Sequence, residues 1–268
     1  MSSLPERVVF VHAHPDDETL STGATIATLV EAGAHVTVVT CTRGELGEVI
    51  PPSLQHLRGA ELGEHRLGEL RNALAALGVT DHRVLGEAGA RWQGRPPRTY
   101  LDSGMQWGPG GARALDATEA GSLSAADEGE VAADIAAVLV DVEPHVVVSY
   151  ASDGGYGHPD HIRAHDATRI AAEVLTVPFY VVDSDGARRG PVVVQPGPVL
   201  DRKRRALEAH VTQVAVEGGE ERLSSGGPRP PARVGSFTRR RSSPPRCARL
   251  RLAQRGLTHL FGQLGRLD

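Results

Sequence analysis

The sequence predicts an α/β fold, a mostly parallel sheet with helices on both faces and a site at the carboxyl ends of its strands. Three observations carry this. Runs such as Arg7-Val8-Val9-Phe10-Val11 and His145-Val146-Val147-Val148-Ser149-Tyr150 are apolar almost throughout, the pattern of strands buried on both faces rather than one. Between such runs lie stretches whose apolar residues recur at helical spacing. Both runs stop abruptly at clusters of ionisable residues, which puts those clusters at the strand ends where open α/β sheets bind ligands. The arrangement is Rossmann-like but lacks the dinucleotide fingerprint: no G-x-G-x-x-G follows the first strand, and acids stand where a phosphate needs bare amides.

The elements follow in order. After the first strand and its cluster, a helix-like stretch begins near Thr19, and Thr22 to Ala32 keeps apolar residues on one face, with Gly33 a suitable stop. His35 to Thr40 is a second strand, completing a βαβ unit. Arg43 to Glu48 forms a loop at the same mouth. Ala60 to Leu77, with leucines at 62, 67, 70, 74 and 77, is an amphipathic helix. Arg83 to Gly86 is a short third strand, followed by a loop from Glu87 to about Pro109, a length that marks functional or disordered segments. Glu128 to Val142 is a helix leading into the His145 strand, and Asp160 to Leu175 is the helix after it. Val177 to Val182 and Val192 to Gln195 read as strands, and Leu200 to Val214 as a helix.

Two clusters carry the chemistry. In His12-Ala13-His14-Pro15-Asp16-Asp17-Glu18, His14 and Asp17 lie three apart across a proline that stiffens the turn, so an imidazole and a carboxylate can converge on one point. Asp16, between them, points elsewhere. One imidazole and one carboxylate suit a divalent metal, and the second carboxylate is then free to take a proton from water. A plain helix start explains the same residues, with Asp17 or Thr19 as N-cap and the acids favoured by the helix dipole. The second cluster, Gly154-Gly155-Tyr156-Gly157-His158-Pro159-Asp160-His161, repeats the His-Pro-Asp unit at another strand end. Taken alone, His158 and His161 are ordinary loop histidines. Two such clusters at two strand ends point to one shared site.

On these residues the chain resembles the PIG-L/LmbE family of metal-dependent N-acetylglucosamine deacetylases: Ala13 to Glu18 pairs with Gly157 to His161 as in that family. Val11 to Ala27, Thr40 to Thr42 with Gly47 to Ile50, Arg66 to Leu70, Asp102 to Met105 and Gly154 to His161 are further similar to its branch acting in mycothiol biosynthesis. That resemblance implies removal of acetate from N-acetylglucosaminyl-inositol. It implies one metal per subunit on His14, Asp17 and His161, a set that suits Zn²⁺ and equally Fe²⁺ in a facial arrangement. Asp16 is then the base. Tyr156 and a protonated His158, its imidazolium favoured by Asp160, are the candidates to hold the oxyanion, and His158 is also the acid that can protonate the leaving amine. Glu48, Arg66, Asp102 and Met105 become substrate contacts. A conjugate amidase of the same family, a non-catalytic sugar-binding member and a nucleotide-binding module are the competing readings.

Composition bounds the rest. The 268 residues are 40% hydrophobic and only 4% aromatic, enough for a full core of aliphatic side chains. No apolar run reaches membrane-spanning length, Met1 to Glu6 carries no signal segment, and Cys41 and Cys247 are the sole cysteines, so a cytoplasmic protein is expected. The net charge of −4 divides unevenly: residues 222–268 hold eleven Arg against Asp268, a net of +10, which leaves −14 on residues 1–221. An acidic body disfavours nucleic acid as a partner and leaves a neutral sugar free to bind. The expected domain is 1–221. The tail, 222–268, rich in Arg, Pro and Ser, reads as a disordered basic arm or the product of a shifted reading frame rather than a nucleic-acid arm.

Overall fold

The structure, a computed structural model, describes residues 5–108, 110–183, 192–193, 199–217, 220–223, 228–229 and 236–239. The elements are β1 (Arg7–His12), α1 (Asp17–Glu31), β2 (His35–Thr40), α2 (Gly59–Leu77), β3 (Asp81–Val84), β4 (Gln106–Gly108), β5 (Gly111–Arg113), α3 (Glu128–Val142), β6 (Val146–Ser149), α4 (Pro159–Leu175), β7 (Phe179–Asp183), β8 (Val192–Val193), α5 (Leu200–Ala209), β9 (Val214–Glu217), β10 (Glu220–Leu223), β11 (Pro228–Arg229) and β12 (Ser236–Arg239). Five parallel strands in the order β3-β2-β1-β6-β7 make the central sheet, and β12 and β8 continue it antiparallel. Small sheets are formed by β9, β10 and β11 and by the β4–β5 hairpin.

The apolar runs behave as buried strands must. Along β1, Val9 and Val11 pack with Ile135, Leu139, Ala164 and Ala171 of α3 and α4. Val8 and Phe10 face the other way, onto Ile26, Leu70 and Leu74 of α1 and α2. Both faces are therefore covered, which is why the runs do not alternate with polar residues, and each buried Val, Leu, Ile or Phe contributes ~1.5–3 kcal/mol relative to exposure. The chain builds β1, β2 and β3 outward in one direction, then returns to lay β6 against the other side of β1, in register from Val8 opposite Val146. The strand order thus reverses between β1 and β6. That reversal opens a crevice at their carboxyl ends, and both ionisable clusters start there.

The helices α2, α3 and α4 stand where their periodicity places them, and Gly33 and Gly78 close α1 and α2 at φ +86° and +88°. Several boundaries differ; β7, for one, begins at Phe179 rather than Val177. Helix α1 begins at Asp17, so Asp17 and Glu18 sit in its first turn, and the N-cap is Asp16 with no side-chain cap bond. Strand β3 lies two residues earlier than expected, in register with Thr37 to Thr40. Helix α5 stops at Ala209, because His210 to Gln213 form a turn before β9. The long loop after β3 carries the β4–β5 hairpin. Of the strand expected at 192–195, residues 194 and 195 lie outside the described residues, as does most of the tail from 222 onward.

Candidate metal centre and active site

The two clusters meet. The Oδ2 atom of Asp17 lies 3.3 Å from His14 Nδ1 and 3.3 Å from His161 Nε2, and all three residues are buried. His161 Nδ1 lies 3.1 Å from the Gly154 carbonyl, a contact that requires the ring hydrogen on Nδ1. Its Nε2 is then a bare lone pair, buried and without a hydrogen-bond partner. Two electron-pair donors facing each other in the interior call for a cation between them, so these residues fit a metal. His14, His158 and His161 bring ligand atoms within 4.8 Å of one another, and so do His14, Asp102 and Asp160. Neither group includes Asp17, so the cluster offers other donor sets beside the expected His14, Asp17 and His161.

Asp17 is held from behind by a residue that the sequence analysis did not single out. Tyr150 closes the β6 run; its hydroxyl donates to Asp17 Oδ2 at 2.7 Å and accepts from the Ala13 N–H at 2.8 Å. Its ring lies flat on the His161 imidazole, centroids 4.0 Å apart and planes 12° from parallel. Burial alone would raise the Asp17 carboxyl, but the His161 and His14 imidazoles hold it well below the usual carboxylate range. Asp16 goes the other way. Burial first, then the charges of Asp17 and Glu18, raise it to about 6 against the pull of Arg66 and His210.

The expected role of Asp160 needs correcting. Its carboxylate meets His14 Nε2 at 3.2 Å and accepts from the Ser103 N–H at 2.9 Å and from the Ser103 hydroxyl; it does not face His158. At the start of α4 it is the Asp160 backbone N–H that reaches His158, donating to Nδ1 at 3.1 Å. Nor does the site favour a His158 imidazolium: burial first, then the nearby His14 and His161 rings, lower it to about 2. His158 is a neutral imidazole whose hydrogen lies on Nε2, a donor all the same. The raised group is His14, where Asp102, Asp160 and Asp17 outweigh burial.

The four expected substrate contacts separate. Arg66 is buried and its guanidinium is taken up by the protein, with Nη1 donating to the Gly44 carbonyl and Nη2 to the Pro15 carbonyl, both at 2.6 Å, and Nη2 lying 3.3 Å from Asp16 Oδ2. While Nε is buried without a hydrogen-bond partner among the described residues, these contacts pin two loops. Gly44 is a glycine for that reason: at φ +67° a Cβ there would lie 2.0 Å from Arg66 Nη1. Asp102 accepts from the Gly104 N–H at 2.8 Å and stands 3.5 Å from His14 Nε2, inside the cluster. Glu48 is exposed on a cleft of ≈ 630 Å³ lined also by Glu45, Leu46, Gln55 and Arg58. Met105 is half-buried just before β4. Tyr156, 40% exposed, stands edge-on to His161 and stacks on Trp107 of the hairpin, centroids 5.7 Å apart. The hairpin approaches closely because residue 157 is glycine, at φ +96°, where a Cβ would lie 2.3 Å from the Ala112 carbonyl oxygen.

The family described as GlcNAc-PI de-N-acetylase, PIG-L, matches residues 9–172. A 1D-myo-inositol 2-acetamido-2-deoxy-alpha-D-glucopyranoside deacetylase of Kineococcus radiotolerans is 49% identical over 232 residues, covering 84% of this chain and 60% of that protein. One so named from a Nocardioides species is 42% identical over 230 residues, covering 84% and 73%. The chain thus spans three-fifths to three-quarters of the length of these two relatives. A crystal structure of a deacetylase–teicoplanin complex from the biosynthesis pathway of teicoplanin superposes with a TM-score of 0.54 at 26% identity, over 76% of this chain and 86% of that one.

Proposed function

Because the chain belongs to the PIG-L de-N-acetylase family, we propose that it hydrolyses the acetamide of N-acetylglucosaminyl-inositol, releasing acetate and the free amine, with one divalent metal, Zn²⁺ or Fe²⁺. The observation that carries the chemistry is the single Asp17 oxygen shared at 3.3 Å by His14 and His161, two imidazoles from distant segments. These three residues would hold the metal, which supplies a Lewis acid for the carbonyl and lowers the pKa of water. The relatives' names support the substrate.

The protein's own groups do the proton work. Asp16, poised near neutrality at about 6 and left off the metal, takes the proton from the attacking water as the carbon–oxygen bond forms. As the carbonyl oxygen gains negative charge, His158 donates to it from Nε2, the tautomer fixed by the Asp160 N–H. Tyr156, beside both imidazoles, supplies a second donor. When the carbon–nitrogen bond breaks, the amine leaves with the proton held by Asp16, and acetate remains. Trp107 and Tyr156 offer an apolar face at the mouth to the C–H side of a sugar ring.

The test is acetate release from N-acetylglucosaminyl-inositol by the metal-loaded protein, run beside cleavage of a mycothiol conjugate. Acetate release with little conjugate cleavage is the expected result. Cleavage of the conjugate alone would make the protein an amidase, and turnover of neither would make it a non-catalytic binder.

A further inference from the structure

Asp16 is held in a conformation that side chains rarely adopt, φ 123° and ψ −32°. The other described non-glycine residues at positive φ, Glu143 and Thr176, sit at 48° and 57° in the left-handed basin that helix ends use. A residue so far outside the allowed regions persists only where its surroundings fix it. Four contacts do so here. The Asp16 carbonyl caps α1, accepting from the Thr19 and Leu20 N–H groups at 3.0 and 2.8 Å. Arg66 grips the Pro15 carbonyl one residue earlier. The Asp16 N–H donates to Glu18 Oε2 at 2.9 Å, and Glu18 in turn receives His210 Nε2 on Oε1 at 2.9 Å.

His210 follows α5, 192 residues after Glu18 in the sequence. It and Glu18 are both wholly buried, so the pair has no water to replace either partner. The turn that carries it is tied down twice more: Thr212 donates to Glu69 of α2 through its N–H at 2.8 Å and its hydroxyl at 2.7 Å, and Gln213 Nε2 donates to the Glu48 carbonyl at 2.9 Å. The Ile50 N–H reaches the Thr212 carbonyl at 2.9 Å. One short turn thus joins the first motif, α2 and the loop at the mouth. The inverted backbone at Asp16 has a visible purpose, since it lets two adjacent carboxylates diverge, Asp17 toward the imidazoles and Asp16 toward Arg66.

We infer that the turn His210–Gln213 is a positioning element of the active site: through Glu18, His210 clamps the backbone N–H of Asp16 and holds that residue in its strained conformation. This rests on the reading of Asp16 as the base. His210 touches no reacting atom; it acts at one remove, through Glu18.

Two measurements test it. His210→Leu should lower kcat about 10–10²-fold, as a misplaced catalytic group does, with KM and bound metal unchanged; His210→Gln, whose amide can reach the same oxygen, should recover most of the loss. A merely structural His210 would lower thermal stability and metal content yet leave turnover per bound metal as it was. The second measurement is a stability cycle. Asp16→Gly removes the strain, so His210→Leu should lower Tm by several degrees less in that background than in the wild type, whereas equal losses in both overturn the clamp. If Leu prevents folding, His210→Asn, too short to reach Glu18, takes its place in the cycle. The cycle needs no substrate, so a protein that releases no acetate can still show the clamp, and an active enzyme with additive Tm losses loses the clamp alone.

Discussion

Replacing Tyr150 by Phe removes one oxygen atom and leaves the ring stacked on His161. That oxygen has two tasks: it donates to Asp17 Oδ2 at 2.7 Å and accepts the Ala13 N–H at 2.8 Å. Loss of the first frees the Asp17 carboxylate to rotate and withdraws a partner of the kind whose removal typically weakens metal affinity about 10–100-fold. At about 1.4 kcal/mol per decade this is roughly 1.4–2.8 kcal/mol of binding. Loss of the second strands a buried N–H, which costs ~1–3 kcal/mol of folding stability whether or not metal is bound. Tyr150→Phe should therefore lower the Tm of metal-free protein by a few degrees, given about 2–4 °C per kcal/mol at this size. It should also raise the Zn²⁺ dissociation constant, read by competition with a chromogenic chelator. Affinity equal to wild type, with Tm lowered as expected, would show that Asp17 is not a ligand held by Tyr150 and would undo the assignment of this carboxylate.

Three further outcomes follow from the same geometry. Asp16 is raised to about 6 and works as a base only when ionised, so kcat/KM should climb as pH rises through about 6 and Asp16→Asn should lower turnover by about 10²–10⁴-fold with metal retained; a profile flat from pH 5 to 8 would remove Asp16 as the base. In the Glu18–His210 pair, burial opposes both charges, yet His210 and its hydrogen bond hold Glu18 down to about 2, from the usual 4.5, while Glu18 raises His210 above its usual 6.5. The Glu18 contribution is present above pH 4.5 and lost toward 2, and the His210 contribution is full below 6.5 and lost above it, so the Tm gap between wild type and His210→Leu should peak between those values. Arg66 places Nη1 and Nη2 on Gly44, Pro15 and Asp16, so Arg66→Lys, which cannot span all three, should lower kcat with little change in KM; a selective rise in KM would instead mark it as a sugar contact.

What the sequence made legible is what repeats locally. The runs at Arg7 to Val11 and Val146 to Ser149 are readable because a strand buried on both faces has no polar alternative, and their ends fix where the two clusters emerge. The repeated His-Pro-Asp unit and the family resemblance joined His14 and His161 in the sequence, and the pairing of β1 with β6 is what brings the two clusters together. Arg66 was singled out only through the family resemblance, although the leucine pattern held a signal for its burial. It lies four residues after Leu62 and four before Leu70, on the apolar stripe of α2, so its burial follows from the periodicity. Glu69, four before Ala73, shares that stripe and is likewise buried. Such residues must find partners inside, and these find Asp16 and Thr212. Other assignments needed long-range geometry. That Asp160 turns to His14 and not to the histidine two residues before it depends on Ser103, and no spacing rule joins His210 to Glu18.

The division of labour between the two adjacent aspartates is itself a physical result. Residues alike in chemistry and neighbours in sequence start with the same intrinsic acidity, so only environment can separate them. Asp17 accepts the Tyr150 hydroxyl and lies 3.3 Å from two imidazoles, and the charge of its surroundings holds its carboxyl well below the usual carboxylate range. Asp16 faces the interior beside two other acids, Asp17 and Glu18, with the Arg66 charge only partly relieving them, and its proton is therefore exchangeable near neutrality. A carboxylate whose surroundings keep it ionised is suited to holding a cation, and one that gains and loses a proton in the working range is suited to carrying it between water and amine. The inverted backbone at residue 16 is what gives neighbouring side chains such different surroundings. A straight helical entry would place both acids in the first turn of α1, more alike in environment and less able to divide these tasks.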